Sequence, residues 1–395
     1  MDKIIVTRWR NKVCTAALSK GSISQIMLEP DNGASMLNNI YIGKVQKVVA
    51  NINAAFVDIG RDETGYYSLD ENPNHIYVSS AGKKLKAGDE IVVQVIRDGV
   101  KTKAPVLTSR LSFAGRFLVL TAGRPGIGFS AKIGNVTYKA RIRQLLEKAM
   151  EDYGEDLGII VRTNGPEASE EGLLDELHLL NSQYRKVLSD AACRTCYTCL
   201  YQSPPAYITA IRDAYGSSIQ EIVTDEELYH EQLKEYLGQY RQAEEDILVF
   251  YEDKLLPMAK LYSLDTAVEK ALSKHVWLKS GGYLVIEPTE AMVVIDVNTG
   301  KYSGKKKQQD TIFKINMEAA GEIARQLRLR NLSGIIIIDF IDMEREADKE
   351  QLLWHLKAAV SKDPVKTTVV DMTRLNLVEL TRKKVRKPLY EQVRE

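Results

Sequence analysis

Two aspartates each close an apolar, β-branched run: Asp296 in VVIDVNTG (Val293–Gly300) and Asp339 in IIIIDFIDM (Ile335–Met343). Carboxylates offer only hard oxygen donors. A pair of them suits a divalent cation such as Mg²⁺, which keeps several waters and shares phosphate oxygens. Asn298 follows the first aspartate by two residues, and Lys301, Lys305, Lys306 and Lys307 follow in a basic loop that suits a polyanion. The chemistry this points to is metal-assisted phosphoryl transfer. A lone Asp at a strand end more commonly caps a helix or binds loop amides. Two of them beside a run of lysines shift the balance towards the metal.

Such a pair works only if the elements around it bring both carboxylates to one place. Between the runs lies a helix-like segment, MEAAGEIARQLRLR (Met317–Arg330). The order strand, loop, helix, strand reads as a βαβ unit with parallel neighbouring strands. That unit delivers both aspartates to the carboxyl edge of the sheet, where open α/β sheets place their sites. The rhythm continues with QLLWHLKAAVSKD as helix, KTTVVDM as strand and NLVELTRKKVRK as helix.

Upstream, the first thirty residues read as a hairpin: KIIVTRWR, then VCTAALSKG, then SQIMLEP. From Asn39 short strands are separated by glycines, which suits a small Greek-key barrel of the OB type that binds oligonucleotides. NINAAFVDIG followed by TGYYSL resembles the core of the RNA-binding barrel first described in a ribosomal protein, and that resemblance makes Phe56, Tyr66, Tyr67 and Lys103 candidates for base stacking and phosphate contact. Phe56 alternates with Val57 and Ile59, so a place in the barrel core is an equal alternative. Helices are expected over Thr137–Tyr153 and Ser169–Cys193, on either side of the strand in DLGIIVRTNG. At that strand's end Arg162 and Thr163 would make a compact oxyanion site, the guanidinium fork matching two phosphate oxygens. Further on, ITAIRDAYGSSIQEIVTD reads as helix then strand, DILVFY as strand, and LDTAVEKALS as a helix capped by Asp265.

Composition sets the outer bounds. At 395 residues two to four domains are expected. A net charge of +1 gives no global signature of nucleic-acid binding, so any steering rests on local clusters such as Lys305–Lys307 and TRKKVRK. No stretch approaches the ~20 apolar residues of a membrane span. The amino terminus lacks a signal-peptide core, which places the protein in the cytoplasm as an expectation. Four cysteines do not make a disulfide framework. Three of them, Cys193, Cys196 and Cys199, have C-x-x-C-x-x-C spacing; ordinary thiols are favoured over a metal site, which would need a fourth ligand.

Three long runs carry a family resemblance: HVWLKSGGYLVIEPTEAMVVIDVNTG, DTIFKINMEAAGEIARQLRLRNLSGIIIIDFIDM and DPVKTTVVDMTRLNLVELTRKKVRKPL. They resemble the catalytic region of the ribonuclease E/G family, nearer its G branch. The resemblance implies that Asp296 and Asp339 bind the metal, Mg²⁺ or Mn²⁺ in its place, and that Asn298 is catalytic with them. It implies that Arg162 and Thr163 sense a 5′-monophosphate, and that Phe56, Tyr66 and Lys103 contact RNA; Lys305 is an RNA-contact candidate from the basic loop. The implied fold is α/β multidomain. An RNase H-like fold (1–35 with 205–274) carries an inserted OB-type barrel (36–115) and sensor region (116–204), followed by a DNase I-like catalytic domain (275–395).

The implied activity is Mg²⁺-dependent endonucleolytic cleavage of single-stranded RNA. Its products would carry 5′-phosphate and 3′-hydroxyl ends, and 5′-monophosphorylated substrates would be preferred. A non-catalytic RNA-binding or assembly protein that keeps the fold is the alternative. Intact Asp296, Asn298 and Asp339 argue against it. The family's C-x-x-C zinc link after the catalytic region does not occur in these residues. Zinc is therefore not expected at that position, and the expectation of a homodimer is weakened.

Overall fold

β-Branched residues in alternation give most of this chain its strands, and turns with left-handed residues join them. In the N-terminal meander, Lys3–Trp9, Lys12–Ser19 and Ser22–Pro30 pair antiparallel in succession. Arg10 (φ 55°), Lys20 (φ 50°) and Gly21 (φ 72°) make the two turns. The computed structural model describes residues 2–31, 35–60, 63–79, 84–99, 104–154, 156–214, 219–240, 246–253, 255–300 and 308–394. It divides into two compact units, Met1–Asn32 with Ala206–Glu395, and Gly33–Pro205.

The first unit contains two sheets. Glu221–Thr224 lies parallel to Lys3–Trp9, and Leu248–Phe250 parallel to Glu221–Thr224, completing a five-stranded sheet around the meander. The second sheet has six strands in the order His275–Trp277, Tyr283–Pro288, Met292–Asn298, Gly334–Asp339, Leu377–Arg382, Thr367–Met372. Helices Gln308–Leu329 and Glu346–Val360 pack on one face of it, burying Leu284, Ile295, Ile338, Ile323 and Leu356 in a common core. The run NLVELTRKKVRK, expected to be helical, instead contributes the strand Leu377–Arg382. Its inward positions are Val378, Leu380 and Arg382. Two-residue spacing decides it: Val378 and Leu380 enter the core, and Arg382 meets the buried Asp363.

The helix Leu264–Leu272 forms as expected, but Asp265 does not cap it. The cap position is Ser263, in a left-handed conformation. Asp265 accepts a hydrogen bond from the Trp9 indole at 2.9 Å instead.

In the second unit, strands Ile40–Val49, Ala54–Asp58, Thr64–Ser68, Val106–Thr108 and Glu90–Arg97 pair in that order, and the last returns to the first. The result is a closed five-stranded barrel of the OB-like kind. Gly65 is required there, because a Cβ would lie 2.4 Å from the Leu107 side chain. Beyond the barrel, Gly126–Phe129, Leu157–Val161, Leu118–Ala122 and Ser112–Ala114 form a four-stranded sheet. The long helix Glu170–Cys193 packs against that sheet, with Ser169 accepting from Gly172 N–H as its N-cap. No helix among the described residues is long and apolar enough to cross a membrane.

Candidate active site

Strands Met292–Asn298 and Gly334–Asp339 pair in parallel, with Asp296 and Asp339 at facing register positions. Adjacent strands are ~4.8 Å apart, so the two carboxylates stand side by side. Their face of the sheet follows from alternation. Val293, Ile295 and Val297 are buried against the helices, as are Ile336 and Ile338, so Asp296, Asn298 and Asp339 project from the opposite, open face. The βαβ reading thus positions the pair correctly along the strands, and the pleat puts it on the uncovered side.

Asn298 is tied to this pair: its Nδ2 donates to Asp296 Oδ2 at 2.8 Å. Partial burial, then repulsion from Asp296 and from Asp342, holds the Asp339 carboxyl above the usual carboxylate range. Asp342 is exposed and accepts from Asn376 Nδ2 at 3.2 Å. Two adjacent oxygen-donor carboxylates that repel each other fit a hard divalent cation, which would relieve the repulsion. Among the described residues no group of three or more His, Cys, Asp or Glu is arranged to hold a metal.

The backbone carrying these groups is pinned from beneath. Asn316, wholly buried in the helix Gln308–Leu329, donates from Nδ2 to Ile341 O at 2.8 Å and accepts Ile341 N–H at 3.2 Å. The loop after Asp339 is thereby fixed by both of its polar groups. Glu318, two residues on, accepts the N–H of Lys279 at 2.7 Å and of Ser280 at 3.1 Å. That loop lies against the end of the Asp296 strand: a Cβ on Gly282 would sit 2.8 Å from Asn298 O, and one on Gly300 2.2 Å from Gly281 O. Neither Asn316 nor Glu318 stood out in the sequence. The one available signal was a polar residue within the apolar stripe of Ile312, Ile315 and Ala319.

The other expected site residues fall elsewhere. Arg162 follows the strand Leu157–Val161, and its Nη1 donates to Gly115 O at 2.5 Å. Thr163 shares a hydrogen bond with Ser130 at 2.9 Å between their hydroxyls. The Gly115 turn is itself clasped by the buried Glu176, which accepts the N–H groups of Arg116, Phe117 and Leu118 at 2.6, 2.8 and 2.7 Å. Burial nonetheless raises the Glu176 carboxyl above its ordinary range.

On the barrel, Phe56 and Tyr66 are register partners on the half-exposed outer face, edge to face at 6.3 Å between centroids. Lys47 extends the row, with its ammonium 4.8 Å from the Phe56 ring centroid. Tyr67, by contrast, is a core residue with no exposed surface, and its hydroxyl donates to Ser109 at 2.9 Å. Period-two alternation excludes it from the face that carries Tyr66. Lys103, Lys301 and Lys305–Lys307 lie outside the described residues. The cysteines Cys193, Cys196 and Cys199 carry free thiols.

A family model described as "Ribonuclease E/G family" matches residues 112–385. The chain is 35% identical over 390 residues to a protein named ribonuclease G from Haemophilus influenzae, covering 96% of this chain and 79% of that protein. It is 33% identical over 398 residues to ribonuclease G of Escherichia coli K12, covering 98% and 81%. Against ribonuclease E of a Nostoc species the identity is 32% over 397 residues, covering 99% of this chain and 57% of the relative.

Proposed function

We propose, given that this chain belongs to the ribonuclease E/G family and is an endoribonuclease of that type, that it cuts single-stranded RNA at Asp296 and Asp339 with a bound divalent cation. The observation that carries the reading is the facing register of those two aspartates, with Asn298 bonded to one of them. Asp296 and Asp339 would hold Mg²⁺, or Mn²⁺ in its place. When bound, such an ion polarises a phosphate oxygen and activates water for attack.

The chain's own groups then have distinct tasks. The Asn298 Nδ2 holds Asp296 in orientation, and its amide carbonyl, an acceptor, is left to orient the attacking water by accepting one of its hydrogens. Asn316 and Glu318 hold the two loops that flank these groups. Cleavage leaves 5′-phosphate and 3′-hydroxyl ends. Arg162 and Thr163 favour substrates with a 5′-monophosphate, for which the guanidinium fork and adjacent hydroxyl supply matching donors. Phe56 and Tyr66, with Lys103 and Lys305, bind the RNA strand by stacking and charge. The same reading keeps the four-part division given above. It assigns the five-stranded sheet of the first unit to an RNase H-like fold and the six-stranded one to a DNase I-like domain, and the working compartment is the cytoplasm.

A short fluorescent single-stranded RNA, assayed with Mg²⁺ and with EDTA, tests the reading. Cleavage is expected only with the metal. Asp296→Asn and Asp339→Asn should each abolish it while leaving RNA binding in a gel-shift assay. Either variant cutting at the wild-type rate would remove these aspartates from the mechanism. Arg162→Ala is expected to erase the preference for 5′-monophosphate over 5′-hydroxyl RNA, and an unchanged ratio would return Arg162 to its bond with Gly115.

A further inference from the structure

The open face that carries the carboxylates also carries aromatic rings for which the ribonuclease reading has no use. Across the sheet Trp277 pairs with Tyr283, and Tyr283 pairs with Asn298. The next row runs His275, Val285, Asp296, Asp339. Directly paired residues project to the same face. Leu284 and Val297 between them are buried in the core, and Val276 packs against it, so the aromatic rings and the acidic groups share the opposite face. Tyr283 lies 5.1 Å from Trp277 and 5.9 Å from His275, centroid to centroid, with its ring tilted against both.

Trp277 is 70% exposed. A cross-strand Trp–Tyr pair on an edge hairpin can serve packing alone, but packing would cover the indole, and here most of it faces water. Trp277 is two strands from Asn298, roughly 10 Å across the sheet. That is within reach of a nucleotide next to one whose phosphate meets the aspartates.

We propose that Trp277, backed by Tyr283 and His275, is a stacking subsite for a nucleobase of the RNA strand beside the cleaved bond. The subsite rests on the reading that Asp296 and Asp339 cut RNA. Stacking on an indole needs only the π-face that every base presents, so the subsite tolerates sequence. It would fix the strand's path across the open face and the register of the phosphate against the carboxylates.

The test combines enzyme variants with modified substrates. Trp277→Ala should lower kcat/KM on a short single-stranded RNA roughly 5- to 100-fold, the range of one base–aromatic stack, chiefly through KM. Trp277→Phe should recover most of the loss. Trp354→Ala is the matched control, since Trp354 is equally exposed at 70% on the helix Glu346–Val360, and it should change nothing. Substrates with single abasic positions around the cleaved bond should include one that lowers the wild type to the variant's level, and on it Trp277→Ala should cause no further loss. No loss with Trp277→Ala, an equal loss with Trp354→Ala, or a loss that persists on every abasic substrate would overturn the subsite; the last would point to a protein partner or to folding.

Binding separates the subsite from the reading beneath it. The chain has three tryptophans, and Trp9 is buried at 3% exposure. A non-cleavable all-deoxy oligonucleotide should therefore quench the indole fluorescence, and Trp277→Phe should remove that quenching. A wild type that shows this quenching but cuts no RNA would refute the ribonuclease reading and keep the subsite. A wild type that cuts without it would do the reverse.

Discussion

Asn316, wholly buried, ties the loop after Asp339 to the helix beneath it. It reaches from the helix Gln308–Leu329 to that loop, and it satisfies both the carbonyl and the amide of Ile341. Asn316→Leu keeps the volume and leaves both groups unpaired in a buried setting. The expected cost is about 1–3 kcal/mol for each group, read as a lower midpoint in urea. A displacement of the Asp339 loop by about 1 Å would cost catalysis up to ~10²-fold, falling on kcat with RNA affinity kept. If kcat keeps pace with wild type while stability falls, the residue supports the fold and not the site. At this scale the sequence told part of the story. Asp296, Asn298 and Asp339 announce themselves by ending apolar runs. Asn316 and Glu318 act on backbone groups far away in the chain, and nothing in their neighbours reveals which loop they hold.

The elements were legible where one period dominated. The parallel pair ending in the two aspartates follows from β-branched runs flanking a helix, and the long helix after Ser169 follows from a run rich in Glu and Leu. The strand Leu377–Arg382 did not, because LVELTR fits a helical or a two-residue period equally well and only tertiary pairing decides. What decides it is visible in the structure. Arg382, 4% exposed, donates from Nε to Asp363 Oδ2 at 2.8 Å, and from Nη1 to Asn331 Oδ1 at 2.8 Å and to Leu332 O at 3.0 Å. The pair is buried but fully engaged, so removing one partner strands the other. Asp363→Ala is expected to destabilise the unit by about 3–5 kcal/mol, whereas replacing both by apolar residues of similar volume should recover much of that. Equilibrium unfolding of the single and double variants would show it; a single variant within 1 kcal/mol of wild type, on the order of a surface pair, would mean that solvent reaches this arginine.

At the scale of the molecule the chain leaves one unit, builds another, and returns. Gly33–Pro205 closes its barrel by pairing Ile40–Val49 with Glu90–Arg97. It assembles its own cores, one inside the barrel around Val57, Tyr67 and Ile91 and another between the four-stranded sheet and its helices. Its polar commitments are also internal: Glu176 clasps the Arg116–Leu118 amides, and Asn39 accepts the Ser203 N–H at 2.8 Å near the exit of the segment. A segment that buries its own apolar side chains and pairs its own buried amides meets the physical requirement for folding alone. The excised segment Gly33–Pro205 is therefore expected to unfold in one cooperative transition, followed in urea by circular dichroism and by tyrosine fluorescence with coincident midpoints. It should also bind single-stranded RNA without cutting it, because Asp296 and Asp339 lie outside it. A gradual, non-coincident transition would show that the barrel and the four-stranded sheet borrow stability from the rest of the chain. Cleavage by the excised segment would move the active site away from the two aspartates altogether.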